Sequence, residues 1–206
     1  MKKLLLIVCL FLAPSIALAA VGCDLNDPDR DIARLFPASS GYKTVYLSIK
    51  TSGGEAMLQR VEQRLGDSFH GLYETIEVPY TLYEVHQGKE IIGYVHGVNQ
   101  KGEYGGIQVF LSLGTDGVIK SFYIQKLTSK AAKELRSKQF GAQFEGLSLK
   151  DFQAYPPASG QLPTSGPLAT LKNPAPAAGQ DFQHVLRAVK KNLILMDEFV
   201  FSKKKR

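Results

Sequence analysis

Apolar and polar residues alternate from Tyr42 to Lys50 (Tyr-Lys-Thr-Val-Tyr-Leu-Ser-Ile-Lys), the two-residue period of a half-buried strand. Ser52-Gly53-Gly54 breaks that period, and from Glu55 to Leu65 it lengthens. Met57, Leu58, Val61 and Leu65 recur at helical spacing and predict an amphipathic helix with its apolar stripe against a sheet. Four more strands are predicted at Thr81–His86, Glu90–Val98, Ile107–Leu113 and Val118–Gln125. Gln87-Gly88-Lys89, the polar stretch Asn99–Gly106 and Gly114-Thr115-Asp116-Gly117 divide them. Asp-Gly favours the positive backbone angles of a tight hairpin. Strands joined by such short connections lie antiparallel to their neighbours.

Residues Ser129–Phe144 read as a helix, with Leu135 and Phe140 on an apolar side and basic residues opposite. Between 155 and 179 stand Pro156, Pro157, Pro163, Pro167, Pro174 and Pro176, interleaved with Gly and Ser. That segment cannot form a regular element and is expected as a long exposed connection. A last helix is predicted from about Gln180 to Met196, where Phe182, Val185, Leu186, Val189 and Leu193 recur every three or four residues. The fold class expected is α+β: an antiparallel β-meander sheet with helices packed mainly on one face, in a single domain over residues 42–201.

The first residues change the picture of where this domain works. Lys2 and Lys3 precede an apolar run from Leu4 to Leu18, interrupted by Pro14 and Ser15, which reads as a secretory signal over residues 1–22. The run is shorter than the ~20 residues a spanning helix needs. Ala17-Leu18-Ala19 fits ordinary signal removal, which would leave a soluble periplasmic protein. Ala20-Val21-Gly22-Cys23 resembles a lipoprotein box, which would put lipid on Cys23 and hold the chain at the periplasmic face of the cytoplasmic membrane. Cys9 leaves with the signal, so Cys23 remains as an odd thiol in an oxidising compartment; lipidation explains it, and an intermolecular disulfide is the rival. Residues 23–41, opening with the polar run Asp24–Asp29, are expected as a tether. Asp24, directly after the cysteine, resembles the signal that retains some lipoproteins at the inner membrane.

The formal net charge of +6 comes from the two ends. Without Lys2, Lys3 and the basic tail at 202–206 (Lys203 to Arg206), the body carries no formal net charge, which excludes a nucleic-acid-binding face. The tail reads either as a solvated terminus or as an electrostatic tether to anionic lipid. His70, His86, His96 and His184 match no zinc spacing and read as structural or surface residues. No hydrolase elbow of the Gly-x-Ser-x-Gly type and no His-Glu-x-x-His occurs.

The stretch Tyr104-Gly105-Gly106-Ile107 through Asp116-Gly117-Val118-Ile119, followed by Phe140–Gly146, resembles the exported FMN-binding domains found in the periplasmic G subunit of Rnf-type electron-transport complexes. Residues 80–153 and 180–196 carry the resemblance. It implies a flavoprotein partnered with a membrane electron-transport complex. Two motifs of that family are altered. Where flavinylated members place Ser-Gly-Ala-Thr before the last helix, this chain has Pro176-Ala177-Ala178-Gly179, with no hydroxyl for a phosphoester. Where they place Glu-Thr-Pro-Gly, it has Leu127-Thr128-Ser129-Lys130. FMN, if bound, is therefore expected to be non-covalent.

A phosphate can be held by free amides at a helix N-terminus. Gly179 and Gln180 open the last helix, and Thr128, Ser129 and Lys130 open the one before; convergence of those ends would make a phosphate site, with Tyr104, Tyr94 or Tyr123 to stack on the ring. The plainer alternatives are that Ser129 is a helix cap and the tyrosines are packing residues. Two functions follow: an FMN-binding electron carrier, or a cofactor-free lipoprotein acting as an accessory subunit of a membrane complex.

Overall fold

The computed structural model describes residues 22–178 and 180–204; residues 1–21, on which the expected secretory signal falls, Gly179 and the last two residues lie outside the described residues. Five strands form one sheet in the order β1-β2-β3-β4-β5, every neighbouring pair antiparallel: β1 Gly41–Leu47, β2 Tyr80–Gln87, β3 Glu90–Lys101, β4 Gly106–Leu113 and β5 Ile119–Leu127. This is the expected meander. β1 stops short of Lys50 because Ser48 and Thr51 form a reciprocal capping box that starts α2 (Ile49–Ser52). Helix α3 (Gly54–Leu65) follows and buries Met57, Val61 and Leu65, ending on Gly66 in the left-handed conformation.

The long helix α7 (Asp181–Met196) runs across the same sheet face and is buried on nearly every side. Its Val185, Leu186, Val189, Leu193 and Ile194 share a core with Tyr80, Tyr94, Val98, Val109 and Leu111 of the sheet. Past Met196 the chain continues through one π-helical turn (Asp197–Phe201).

Three expectations are corrected. The helix expected over Ser129–Phe144 is two short ones, α4 (Ala132–Leu135) and α5 (Lys138–Ala142). Ser137 accepts from the Phe140 amide and caps α5 in mid-segment, which breaks the run. The proline-rich connection is not simply exposed. Tyr155, Leu168 and Leu171 sit among its prolines at 0 %, 1 % and 6 % exposure, so it straps down on the core beside α6 (Leu149–Phe152) and α7.

The third correction concerns the tether. Asp27 accepts from the Arg30 amide and Pro28 takes the first helical position, so residues Pro28–Leu35 form α1. Cys23, Leu25 and Ile32 then pack with Tyr83, Val85, Val95 and Phe110 on the sheet face away from α7. The alternation along β2, β3 and β4 puts those apolar side chains on the second face, and a segment with matching apolar positions covers them. Cys23 forms a parallel bridge with Tyr80, and Leu25 donates its amide to the Tyr83 hydroxyl at 3.1 Å.

Candidate functional site

The β3–β4 turn, residues 102–105, closes with Gly102 donating to the Gly105 carbonyl at 2.7 Å. It is where the expected site residues meet. A Cβ on Gly105 would stand 3.1 Å from Cβ of Thr128, so glycine lets the turn approach the end of β5. Lys130 holds its ammonium 5.2 Å from the centre of the Tyr104 ring, and Tyr104 is 45 % exposed. Ser129 Oγ accepts from the Ala131 amide, a local turn role close to the cap reading.

The start of α7 reaches the same turn from the other side. The Gln180 amide donates to Oε2 of Glu103 at 3.3 Å, and the Glu103 amide donates to Oδ1 of Asp181 at 2.8 Å. Asp181 is 1 % exposed, and its Oδ2 has no hydrogen-bond partner among the described residues. Thr128, Lys130, Tyr104 and Gln180 thus gather around one turn. Gly179 lies outside the described residues. Tyr94 and Tyr123 are elsewhere: Tyr94 is buried under Phe201 on the α7 face, and Tyr123 stacks on Phe110 on the opposite face.

One anion position at this helix end is already taken by the chain itself. Free helix amides favour an anion, but here a carboxylate of the chain itself already receives the Gln180 amide. A second carboxylate, Asp181, is buried in the first turn beside it. A phosphate brought to this helix end would meet the carboxylates of Glu103 and Asp181, and like charges at close range disfavour binding.

Beside the turn opens a cavity of about 410 Å³, lined by Gly71, Leu72, Tyr73, Glu74, Gln100 and Gly102 among others. Its floor is an ionic cluster that the sequence reading missed. Arg187 grips Glu74 through both terminal nitrogens, Nη1 to Oε1 at 2.6 Å and Nη2 to Oε2 at 3.1 Å. Its Nε bonds Asp67 at 2.6 Å, and Nη1 also reaches Gln100 at 2.7 Å. Lys191, with no exposed surface, donates to Glu74 and to the Asn99 carbonyl. Burial pushes the Glu74 carboxyl up, and Lys191 and Arg187 outweigh it to hold that group at about 2. Two cations therefore face two carboxylates, and the cluster is satisfied from within.

Next along α7, Asn192 donates to the carbonyl of His96, and its Oδ1 lies 2.8 Å from His96 Nδ1. Burial lowers His96 to about 4, so the ring is neutral, and Nε2 has no partner among the described residues. In the sequence the cluster left only a hint, the polar residues set between the apolar positions of this helix. A helix carrying Arg187, Lys190, Lys191 and Asn192 between its apolar positions, and buried all round, requires carboxylates from elsewhere. The acidic loop with Asp67 and Glu74 supplies them.

A second cavity of about 430 Å³ lies at the far end of α7, between Arg64, Asp116, Lys150, Asp197 and Lys204. There Arg64 is tied to Asp197 at 2.5 Å and to Glu198 at 2.7 Å. Among the described residues no group of three His, Cys, Asp or Glu side chains is placed to hold a metal ion. None of the helices in the described residues is long and apolar enough to cross a membrane. No protein-family model matches the chain, and no curated protein is significantly similar to it.

Proposed function

We propose that this chain is a cofactor-free exported binding module, an accessory subunit of a membrane complex, and not a flavin carrier. The observation that carries the reading is the carboxylate pair at the start of α7: Glu103 takes the Gln180 amide, and Asp181 stands buried in the first turn. The meander and terminal helix are of the α+β class that the resemblance implies, and the chain's own Glu103 takes the Gln180 amide at the helix end. The cavity beside the turn then serves as the contact for a partner. Leu72, 48 % exposed, stands on its wall, and Tyr104 projects from the adjoining turn, a pairing suited to an apolar side chain of another protein.

Cys23 bears on how the module is held. Its sulfur packs so closely over β3 that a Cβ on Gly97 would come within 2.9 Å of it. Burial also pushes the thiol well above its ordinary range. A lipid on that sulfur requires the Cys23 side chain to leave its packed place over β3, so cleavage near Ala19 and a soluble periplasmic product is the reading we favour over lipid anchoring.

The test is the absorption spectrum of the exported, purified protein before and after addition of FMN and desalting. A colourless protein that fails to retain added FMN is expected; flavin held at near one equivalent overturns the reading. A photo-crosslinking side chain at position 72 should give a discrete adduct in the exporting cell that the same group at exposed Lys89 does not give. Intact mass reports the anchor, since diacylglyceryl on Cys23 would overturn the soluble assignment.

A further inference from the structure

The two edges of the sheet are finished differently. Along β5 the backbone is sealed. Its register with β4 shifts twice, between Gln108 and Val109 and between Ser112 and Leu113. Arg136 donates to the carbonyls of Ile124 and Gln125 at 3.2 and 3.3 Å. Ile119 exchanges backbone bonds with Leu147 and Gly146, each at 2.8 Å. Bulges, a guanidinium and a covering loop are devices by which proteins blunt a strand edge.

β1 has none of them. Its seven residues, Gly-Tyr-Lys-Thr-Val-Tyr-Leu, pair with β2 from Gly41↔His86 to Leu47↔Tyr80 without a shift. The strand contains no proline, and its one charge, Lys43, is turned to Glu84 of β2 at 3.8 Å. Among the described residues, the backbone of β1 makes no hydrogen bond except to β2. Tyr46 stands beside this open edge at 71 % exposure, the most exposed large apolar side chain described.

We propose that β1 is a homodimer edge, at which two copies of this chain pair antiparallel about Thr44 and join their sheets into one of ten strands. The register follows from the strand. A two-fold axis perpendicular to the sheet keeps each face continuous, so only residues of like parity can stand opposite. Centring on Thr44 is the choice that pairs all seven residues. It sets Thr44 against Thr44 and Tyr46 against Tyr42 of the second copy, twice over, and hydroxyl and aromatic cross-strand pairs of this kind stabilise a sheet. It also sets Lys43 against Val45, whereas centring on Lys43 would oppose two like charges. Tyr42 is already fixed for the role, its hydroxyl donating to Asp29 at 2.7 Å. The inference is independent of whether the cavity beside Tyr104 binds a partner. A contact limited to one seven-residue strand belongs to the small, weak class of interfaces, so a reversible dimer is the form expected.

The test is sedimentation of the exported full mature chain over a wide concentration range. The mass is expected to climb towards twice the monomer value as concentration rises. Thr44→Lys and Thr44→Glu, each placing like charges opposite one another across the axis, should stay monomeric alone, and an equimolar mixture of the two should dimerise again. Tyr46→Ser, a change at an exposed side chain that leaves the fold intact, should weaken the dimer several-fold. A wild-type chain that remains monomeric at every concentration overturns the proposal. So does a Thr44→Lys variant that dimerises as wild type does, or a β1 edge that accepts an extended peptide of another protein while the chain itself stays monomeric.

Discussion

On the face beneath α7 the sheet is closed by sixteen helical residues that carry Arg187, Lys191 and Asn192 into the interior. On the other face it is closed by residues 22–36, which bring Cys23, Leu25 and Ile32 onto tyrosine, valine and phenylalanine side chains. The first closure is ionic and directional: Glu74 must meet Arg187 and Lys191 together, and α7 has one position in which that happens. The second is mostly apolar contact, tied at its ends by a few hydrogen bonds. A face held by paired buried charges fails all at once when a partner is removed. One held by a short apolar cover can open by itself, since local opening draws on the least contacted segments.

The comparison breaks most severely at Glu74. Glu74→Gln leaves Arg187 and Lys191 buried against a single remaining carboxylate, Asp67, and should cost about 3–5 kcal/mol. Urea unfolding measures it. If the loss is below about 1 kcal/mol, the cluster is no constraint on α7 and the contrast between the faces falls.

A second effect comes from acid, and both of its parts lie on the α7 face. His96 is held at about 4 against an ordinary 6.5, so the unfolded chain takes up its proton first. Its contribution is complete above about pH 6.5 and is lost as pH falls towards 4, on the order of 3 kcal/mol in all. Glu74, held at about 2 against 4.5, contributes stability that is present above 4.5 and lost between there and 2. Stability should therefore fall in two stages on acidification. A His96→Gln variant should keep only the lower stage, and a single fall confined below pH 4.5 in the wild type would contradict the assignment of a neutral, buried His96.

On the covering side, Ile32→Ala should cost about 2 kcal/mol, the low end for a buried aliphatic truncation, because a short segment can settle into the space. The sharper readout is Cys23. Its thiol should react with a disulfide reagent many times faster in the Ile32→Ala chain, while amide exchange within α7 stays slow. Equal acceleration of both would mean the cover does not open separately.

How much of this was legible in the sequence divides along the same line. The strands were, because Thr81–His86 and Ile107–Leu113 carry their apolar residues between clear turn residues, and the Asp116-Gly117 hairpin fixes the order. So were the bounds of α7. Thr128, Lys130, Tyr104 and Gln180 were named as site residues on the condition that two helix ends converge, and Glu103, which takes the Gln180 amide, was not named. Glu103 sits in a polar turn, and nothing local says that its carboxylate reaches α7. Glu74 and Arg187 are 113 residues apart, and an ion pair at that separation leaves no local period to read. The cover was misread for the opposite reason. Asp24, Asn26, Asp27 and Asp29 give residues 22–36 the composition of a linker, while the few apolar residues between them do the packing.

The smallest effect separates the cover's apolar contacts from its polar ties. Tyr42 donates its hydroxyl to Asp29, among the described residues the one hydrogen bond from the start of α1 to the edge strand, and it lies in solvent. Exposed hydrogen bonds contribute about 0.5–1.5 kcal/mol, so Tyr42→Phe should lower stability by about 1 kcal/mol or less while keeping the ring in place. The ring at position 42 would still meet Tyr83 edge to face, as Tyr42 does in the parent with centroids 5.7 Å apart. Cys23 reactivity should rise only slightly, far less than with Ile32→Ala. Were the phenylalanine change to expose Cys23 as fully as the loss of Ile32, the hydroxyl tie and not the apolar contact would be what holds the cover down. The second face would then resemble the first in depending on a directional bond, and the difference between the two would reduce to the number of such bonds each contains.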